Sequence, residues 1–338
     1  MSPPTFTRFV DRAGRRLAVG LLLVVAGCGG DQSALAPAGP IGLSIATLAW
    51  IMFAGAAVIF GVVMALTVIA WLAPLRVRRW LGTSRAVAIG GIAFPVVVLS
   101  ALLVYGLCVT RTTAGSEGTG PVSINVVGEQ WWWRVNYAQG DGAQPVITAN
   151  EIRIPTGTPV RLVLTAADVI HSIWIPRLAG KLDMIPGRTT TLVLEAADPG
   201  VYRGQCAEYC GAQHAQMAFF VVAMEPQAFD DWLATQRSPG RKPATPLQEE
   251  GRQAFLRHGC GACHTVRGTS AMETLGPDLT HVGSRLSIAA GMFPNNAGTL
   301  AGWIADAQHL KPGNGMPSFE MLRGQELRAI AAYLGSLE

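Results

Sequence analysis

The chain has 338 residues, of which 50% are hydrophobic and only 14% are charged, and its formal net charge is +4. This length allows about two or three domains of ordinary size, and the high apolar content favours a membrane protein. The basic residues do not cluster on one face, which argues against a nucleic-acid-binding protein.

The first 27 residues have the pattern of an export signal. Four arginines between positions 8 and 16 precede a short apolar run that ends in Val25-Ala26-Gly27-Cys28. These last four residues resemble a lipobox, in which Cys28 would be lipidated and would become the mature N-terminus. The alternatives are an ordinary signal peptide and an uncleaved membrane anchor.

Two long uncharged segments follow, from Gln32 to Leu75 and from Ala86 to Thr110. Each exceeds the about 20 residues that a helix needs to cross a bilayer. The loop between them contains four arginines and no acidic residue, and short loops of this kind stay in the cytoplasm. The sequence therefore predicts a transmembrane helical hairpin over residues 28–112 with both ends outside; the alternative is a buried hairpin in a soluble protein.

From about residue 121 apolar and polar residues alternate, first at Val122, Ile124 and Val126 and again from Val160 and from Leu192. Turn sequences such as PTGTP and IPGR separate these runs. This pattern predicts short antiparallel strands in a β-sandwich or small barrel over residues 113–226, with no long helix before residue 226.

One motif in this β unit has the ligand types of a copper site. It reads C-x-E-x-C-x3-H-x2-M, and a further histidine lies upstream in ADVIHSIWIP; the residues are His171, Cys206, Glu208, Cys210, His214 and Met217. Copper prefers thiolate, imidazole and thioether ligands, and two cysteines on one turning loop can bridge two metal atoms. We therefore expect a dinuclear copper centre suited to electron transfer. A disulfide or a zinc site is the alternative, although Met217 and His171 fit zinc poorly.

After residue 226 the sequence predicts a short amphipathic helix and a Pro-rich linker over residues 227–247, then a helical domain over residues 248–338. The run Cys260-Gly261-Ala262-Cys263-His264 is the C-x-x-C-H signature of covalent haem attachment, with His264 as an iron ligand. Met316 in GNGMPSF is the expected sixth ligand, in competition with Met272, Met292 and Met321. Half of a zinc knuckle and a redox dithiol are the alternatives. We expect His258, His281 and His309 to be surface or linker residues.

Two family resemblances rest on these residues. The run VYRGQCAEYCGAQHAQM, preceded by DVIHSIWIP and GEQWWWRVNY, resembles subunit II of cytochrome c oxidase over residues 41–235, and the C-terminal domain is similar to class I cytochrome c. The fusion of the two resembles the caa3-type haem–copper oxidases. The resemblance implies a transmembrane hairpin, an all-β cupredoxin domain with a Greek-key barrel or sandwich, and an all-α cytochrome c domain.

The resemblance also implies roles for single residues. Cys206 and Cys210 would bridge the two coppers of a CuA site, and His171 and His214 would be its terminal ligands. The weak axial ligands would be Met217 and the carbonyl of Glu208, whose side chain would reach a magnesium ion at the interface with the catalytic subunit. Asp168 and Trp131 would lie where electrons enter the copper site. The proline of LGPDL would pack near His264, and GQELRAIAAYL would cross the first cytochrome helix near Gly251 and Phe255.

As a whole, the resemblance implies that electrons pass from a donor through haem c to CuA and on to an oxygen-reducing, proton-pumping catalytic subunit. The implied partners are oxidase subunits I and III, membrane lipid, and cytochrome c or a quinol–cytochrome c reductase as donor. The implied location is the bacterial plasma membrane, with both cofactor domains outside. One departure is the absence of a glutamate near Ala88, which the family often has. Nitrous oxide reductase, a stand-alone anchored electron carrier and a copper-handling protein are the alternative functions.

Overall fold

The computed structural model describes residues 30–114, 121–138 and 145–338. The predicted export signal and the predicted lipidation site Cys28 lie outside the described residues. Within these ranges the chain forms a helical hairpin, a β-sandwich and a small helical domain, in that order, as the sequence predicts.

Two long apolar helices form the hairpin, and short helices fill the Arg-rich turn. The elements are α1 (Pro40–Leu72), α2 (Leu75–Leu81), α3 (Ser84–Ala88) and α4 (Phe94–Ala114), and a wide helical turn at Ile89–Ala93 joins the last two. The spans Pro40–Leu72 and Ser84–Arg111 are each long and apolar enough to cross a membrane. No residue in the most apolar window of either span is buried within the chain. This exposure distinguishes them from the core helices of a soluble protein.

The first turn of α1 packs directly against the β-sandwich. A Cβ atom at Gly39 would lie 1.9 Å from the carbonyl oxygen of Glu195, and one at Gly42 would lie 2.5 Å from that of Arg177. Only glycine permits such a close approach of two backbones. The Gly42 N–H also donates to the carbonyl of Leu178 at 3.0 Å. The hairpin is therefore joined to the sandwich by packing as well as by the chain.

The described chain between residues 122 and 224 forms ten strands. They are β1 (Val122–Glu129), β2 (Trp132–Ala138), β3 (Val146–Ala149), β4 (Glu151–Pro155), β5 (Val160–Ala166), β6 (His171–Trp174), β7 (Leu182–Met184), β8 (Thr190–Leu194), β9 (Gly200–Cys206) and β10 (Ala218–Met224). One sheet has the order β3-β2-β1-β5-β8 and the other the order β4-β10-β9-β6-β7. Alternate residues of the strands fill the space between the sheets, as the period of two predicts; Ile124, Val126, Trp133, Val135, Leu162 and Leu164 are fully buried.

The strand pairing differs from the sequence prediction in one respect. The sequence predicts antiparallel strands, but β1 pairs with β5 and β4 pairs with β10 in parallel. Both pairs join strands that are distant in the chain, so no tight hairpin connects them. The alternation of buried and exposed residues is the same in parallel and antiparallel strands at the surface of a sandwich. The pattern therefore could not reveal the strand direction.

The helical part of the chain begins with α5 (Pro226–Gln236), which covers one end of the sandwich with Phe229 and Leu233. The C-terminal domain then contains α6 (Pro246–Arg257), the short strands β11 (Ser287–Ile288) and β12 (Phe293–Pro294), and helices α7 (Ala297–Ala305), α8 (Ala307–Leu310) and α9 (Gly324–Gly335). The start of α6 is explained by its sequence. Thr245 and Gln248 form a reciprocal capping box, and Pro246 occupies the first turn.

The crossing of α6 and α9 is the centre of this domain. A Cβ atom at Gly251 would lie 1.9 Å from the carbonyl oxygen of Ala329 and 2.9 Å from Cβ of Tyr333. Phe255 and Tyr333 are buried beside it, with ring centroids 6.0 Å apart. The two helices therefore cross at Gly251 and Phe255, as predicted.

His281 is not the surface or linker residue that the sequence predicts. Only 3% of it is exposed, and its ring lies 3.1 Å from the carbonyl of Ser238 in the linker and 3.1 Å from that of Glu338 at the C-terminus. A second contact fixes the linker, because the Gly240 N–H donates to the carbonyl of Arg267 at 2.9 Å. The sequence predicts a surface position for His281 because the imidazole ring is polar. It does not show that the carbonyls of Ser238 and Glu338 meet where this ring lies.

Candidate copper centre and haem site

The β-sandwich brings the predicted copper ligands to one of its ends. His171 begins β6 and Cys206 ends β9, and these strands pair with each other, with Ile173 opposite Cys206. The loop after β9 contains Cys210 and His214 and returns to β10 immediately after Met217. Two adjacent strand ends and one loop therefore supply all of these residues.

The ligand atoms lie within a few ångströms of one another. The Cys206 and Cys210 Sγ atoms are 3.7 Å apart; His171 Nδ1 lies 3.9 Å from Cys206 Sγ, and His214 Nδ1 lies 3.6 Å from Cys210 Sγ. The Met217 Sδ is 3.8 Å from Cys210 Sγ, and the Glu208 carbonyl oxygen is 3.2 Å from Cys206 Sγ. Among the described residues, His171, Cys206 and Cys210 form a group whose ligand atoms all lie within 4.8 Å of one another, as a metal ion requires. All six predicted ligands are therefore gathered around the two sulfurs.

This arrangement fits a copper site better than the alternatives raised by the sequence. A disulfide requires an S–S distance of about 2.05 Å, and these sulfurs are 3.7 Å apart. A thioether in contact with one thiol is a ligand that copper accepts and zinc rarely takes. Cys206, Cys210 and Met217 are at most 5% exposed, so water is excluded from the sulfurs.

The two thiols are electrostatically unequal. The contact with Cys210 holds the pKa of the Cys206 thiol well below its ordinary value, and this effect outweighs burial. The same contact, together with burial, raises the pKa of Cys210 above its ordinary value. The thiolate is the form that binds a metal ion. Cys206 therefore loses its proton first, and Cys210 keeps its proton to a higher pH.

The His171 ring is held in position by residues around it. Its Nε2 faces Asp168 Oδ1 at 2.9 Å, so Nδ1 is free to face the sulfurs. On the other side a Cβ atom at Gly128 would lie 2.8 Å from ring carbon Cδ2. Burial alone would raise the pKa of Asp168, but hydrogen bonds from His171, from Val169 N and from Gln130 N outweigh it and lower the pKa. A carboxylate behind a histidine is the common arrangement in metal sites.

Trp131 lies beside the copper loop. Its indole N–H donates to the carbonyl of Cys210 at 2.9 Å, and the Gln130 side chain donates to the same oxygen at 2.7 Å. Gly211 follows with φ +114°, a conformation that favours glycine, and a side chain there would meet Gln130 and Trp131. Gly128, Gln130 and Gly211 thus support the site, and single glycines or glutamines carry no signal by which the sequence could have identified them.

The Glu208 side chain points away from the sulfurs. Its carboxylate is 43% exposed and lies 3.7 Å from Nζ of Lys181. Tyr209 beside it is 75% exposed. The carboxylate is therefore available to a ligand outside this chain, while its backbone carbonyl faces Cys206.

The predicted haem segment follows α6 directly. Cys260 lies in the one-turn helix Cys260–Ala262, and both Cys260 and Cys263 are free and partly buried. The His264 ring donates from Nδ1 to the carbonyl of Pro277 at 2.7 Å, which leaves Nε2 as a free acceptor. Burial lowers the pKa of His264 and so keeps the ring neutral. Free thiols beside a neutral histidine with fixed orientation fit covalent haem and an axial iron ligand.

The LGPDL segment closes on this histidine, as the resemblance implies. A Cβ atom at Gly276 would lie 2.7 Å from Cε1 of the His264 ring. Met316 is partly buried against the same core as Cys260. Its backbone is fixed by Asn314, which accepts from Met316 N at 2.7 Å, and by Gln308, which donates to Met316 O at 2.6 Å. Met272 and Met321, two of the competitors, are each 74% exposed.

The copper loop and the turn that leads to Met316 meet at a polar contact between the two domains. Gln213, next to His214, donates to the carbonyl of Pro312 at 2.8 Å. Buried Lys311 donates to carbonyl oxygens of Trp131 and Gln216, both at 2.8 Å. At a second place on the interface Arg153 donates to Ser284 O and Glu151 accepts from Leu286 N. Lys311 cannot be identified from the sequence, because a single lysine before a turn has no distinguishing pattern.

Comparison with known proteins agrees with this division of the chain. Residues 122–224 match the family described as cytochrome c oxidase subunit II, periplasmic domain, and residues 248–338 match the cytochrome c family. Cytochrome c oxidase subunit 2 of Alkalihalophilus pseudofirmus is 37% identical over 249 residues, which are 72% of this chain and 71% of that protein. The chain belongs to the cytochrome c oxidase subunit II family. Its subunit II domain implies copper, and the cytochrome c domain fused to it implies haem c.

One further relative and one solved structure are also similar to parts of this chain. Cytochrome c oxidase subunit 2 of Bacillus subtilis is 30% identical over 237 residues, which are 66% of this chain and 64% of that protein. The solved periplasmic domain of subunit II from Bradyrhizobium japonicum is 30% identical and covers 35% of this chain and 95% of that chain, with a TM-score of 0.33. Subunit II belongs to the haem–copper oxidase complex, so this chain has partner subunits, and its two membrane-length helices agree with a membrane protein whose domains lie outside.

Proposed function

We propose that this chain carries electrons from a donor through covalent haem c to a dinuclear CuA centre and on to the oxygen-reducing, proton-pumping subunit I. The observation that carries the proposal is the direct contact of the two candidate ligand loops, in which Gln213 beside His214 donates to Pro312 O at 2.8 Å. When bound, each cofactor would gain and release one electron without making or breaking bonds. A contact between their loops within one chain suits transfer between them.

The proposed copper ligands divide into three kinds. Cys206 and Cys210 would bridge the metal atoms, and His171 and His214 would each complete one of them. Met217 and the Glu208 carbonyl would be weak axial ligands. The support is that both imidazoles turn Nδ1 toward a sulfur and that the sulfurs are buried. The protein's own contribution is to fix these groups before the metal arrives, which keeps rearrangement on electron transfer small.

The proposed haem ligands are arranged along the C-terminal domain. Cys260 and Cys263 would form the thioether bonds, and His264 and Met316 would be the axial iron ligands. A histidine–methionine pair raises the potential of a haem relative to two histidines. Pro277 fixes the His264 ring, and Gln308 and Asn314 fix the Met316 backbone. With both axial positions filled by the chain, this haem would not bind oxygen.

The surroundings of the two sites suggest the remaining assignments. We propose that the exposed Glu208 carboxylate binds magnesium at the interface with subunit I and that electrons reach the copper site near Trp131 and Asp168. We also propose subunit III, cytochrome c or a quinol–cytochrome c reductase, and membrane lipid as partners. The location would be the bacterial plasma membrane with the copper and haem domains outside, and Cys28 would add a lipid anchor.

Spectroscopy of the purified full-length chain tests the proposal. The chain would be expressed with haem maturation and copper and studied in detergent. We expect a low-spin c-type haem with a methionine–sulfur band and the multi-line EPR pattern of one electron shared by two coppers. A haem signal without that copper pattern would contradict the CuA proposal and leave an anchored cytochrome.

A matched pair of variants tests the sixth haem ligand. Met316→Ala should abolish the methionine–sulfur band and lower the haem potential, because the iron loses its thioether, while the haem remains attached through Cys260 and Cys263. Met321→Ala is the control, since Met321 is exposed. If the band survives in Met316→Ala, another residue is the ligand.

A further inference from the structure

Lys311 is a buried lysine at the contact between the two domains. Only 2% of it is exposed, and none of the ion pairs among the described residues includes it. Its Nζ instead donates to three carbonyl oxygens, those of Trp131 and Gln216 at 2.8 Å and that of Ala289 at 3.3 Å. These three acceptors match the three N–H bonds of a protonated amine.

Burying a lysine without a carboxylate is unfavourable, and here burial lowers the pKa of Lys311 to about 7. A residue whose only task was to fill space would be apolar at this position. The three carbonyls that it joins come from different parts of the chain, two from the copper domain and one from the cytochrome domain. The side chain therefore connects the domains through direct and directional contacts.

The places that it connects are adjacent to both candidate cofactor sites. Gln216 immediately precedes Met217, and the Trp131 indole donates to the carbonyl of Cys210. Lys311 itself follows α8 and begins the turn that leads to Met316. One ammonium thus ties the copper loop and the Trp131 turn to the loop of the expected haem ligand.

The rest of this turn lies against the copper domain as well. Pro312 O accepts from Gln213 at 2.8 Å, and a Cβ atom at Gly313 would lie 3.6 Å from the Trp131 ring. The contact is therefore continuous from Lys311 to Gly313. It covers part of the Trp131 side chain, which is half-buried in the whole chain.

We infer that Lys311 is a positioning residue that fixes the distance between the haem and copper sites and so sets the rate of electron transfer between them. This inference rests on the proposed function. In the step concerned one electron leaves the haem and one reaches copper, and no bond forms or breaks.

The test compares Lys311→Met with Lys242→Met in the purified holo complex. Lys242 is an exposed lysine of the linker and serves as the matched control. A photoactivated ruthenium complex reduces the haem, and the optical signals of haem and copper are followed in time. We expect the interdomain rate to fall about tenfold or more in Lys311→Met. Loss of a charge-assisted hydrogen bond would shift the equilibrium between closely held and separated domains by about this factor, and transfer is fast only when the domains are closely held.

Three further readouts separate positioning from damage to the fold. The haem band and the copper EPR pattern should be unchanged in Lys311→Met, which would show that both cofactors are still bound in their sites. In steady state the apparent KM for the donor should stay constant while kcat falls, because the donor docks elsewhere. In the purified holo complex, trypsin should cut the linker at Arg241 and Lys242 faster in Lys311→Met than in wild type, since the domains are less tightly held.

The outcomes are distinguishable. A wild-type interdomain rate in Lys311→Met overturns the inference and leaves the proposed function intact. If the wild-type complex shows no transfer from haem to copper, the proposed function itself fails. If Lys311→Met does not fold, Lys311→Gln replaces it in the test. The glutamine amide still donates a hydrogen bond but cannot reach all three carbonyls. A wild-type rate in Lys311→Gln would also overturn the inference.

Discussion

At the scale of single residues, the His171 ring shows how the protein prepares a ligand before any metal binds. Asp168 faces Nε2 at 2.9 Å, and Gly128 leaves room for the ring on the side of β1. The Asp168 carboxylate is itself fixed, because Gln130 N and Val169 N donate to it at 2.6 and 2.7 Å. Only Nδ1 is then left to face the sulfurs.

Replacing this carboxylate should weaken the copper site without removing a ligand. We expect Asp168→Asn to lower copper affinity about 10–100-fold, which is the usual cost of losing the group behind a metal-binding histidine. Competition with a chelator, read by EPR of the full-length chain, measures the change. The control is Asp230→Asn, an exposed aspartate of α5. Equal affinities of both variants and wild type would show that Asp168 does not orient the ring.

At the scale of elements, the C-terminal domain depends on the crossing of α6 and α9. Gly251 lies where the helices are nearest, and the buried Tyr333 ring packs beside it. Glycine is unfavourable within a helix by about 1 kcal/mol. Its presence in α6 is therefore explained by the close approach that it permits.

The variant Gly251→Ala should destabilise the cytochrome domain. Forcing a methyl group into a packed core costs about 1–3 kcal/mol, which for a domain of this size lowers Tm by roughly 5 °C or more. Gly302→Ala in α7 is the matched control, because a Cβ there meets nothing within 4 Å; it should be neutral or slightly stabilising. Thermal unfolding followed by haem absorbance measures both. An unchanged Tm in Gly251→Ala would mean that the crossing can widen without cost.

Much at this scale is predictable because the signals are local. The hairpin follows from two uncharged runs, the sandwich core from alternation at residues such as Ile124 and Val126, and the ligand candidates from two short motifs. The crossing at Gly251 and the contact of LGPDL with His264 come from the family resemblance. Each of these depends on residues near one another in the chain or on a known pattern.

The rest depends on residues that meet only in the folded chain. The parallel pairing of β1 with β5 joins strands whose alternation is the same in either direction. His281 is buried because carbonyls from Ser238 and Glu338 converge on it, and Lys311 is buried because carbonyls from Trp131 and Gln216 do. A backbone carbonyl is present at every position, so the sequence contains no sign of which ones will gather around a polar side chain.

At the scale of the whole molecule, packing links the membrane hairpin to the copper centre. The first turn of α1 meets the sandwich at Gly39 and Gly42, where the backbones approach too closely for any side chain. The Arg177 side chain donates to the carbonyl of Ala36 at 2.8 Å and strengthens this contact. The sandwich therefore has a defined position relative to the start of the membrane span, which suits a domain that must face the same partner throughout the reaction.

The orientation of the hairpin gives the last prediction. Arginines gather in the turn between the spans, so we expect this turn inside the cell and the sandwich outside. The variant Ser84→Cys, made in a Cys108→Ser background, should react with a membrane-impermeant maleimide only after the plasma membrane is permeabilised. The variant Ala228→Cys places a cysteine at an exposed position of α5. It should react in spheroplasts, which are cells without an outer membrane but with an intact plasma membrane. The Cys108→Ser background alone serves as the control. Labelling of the Ser84 position in those cells would reverse the topology and place the copper and haem domains in the cytoplasm, where the proposed function could not hold.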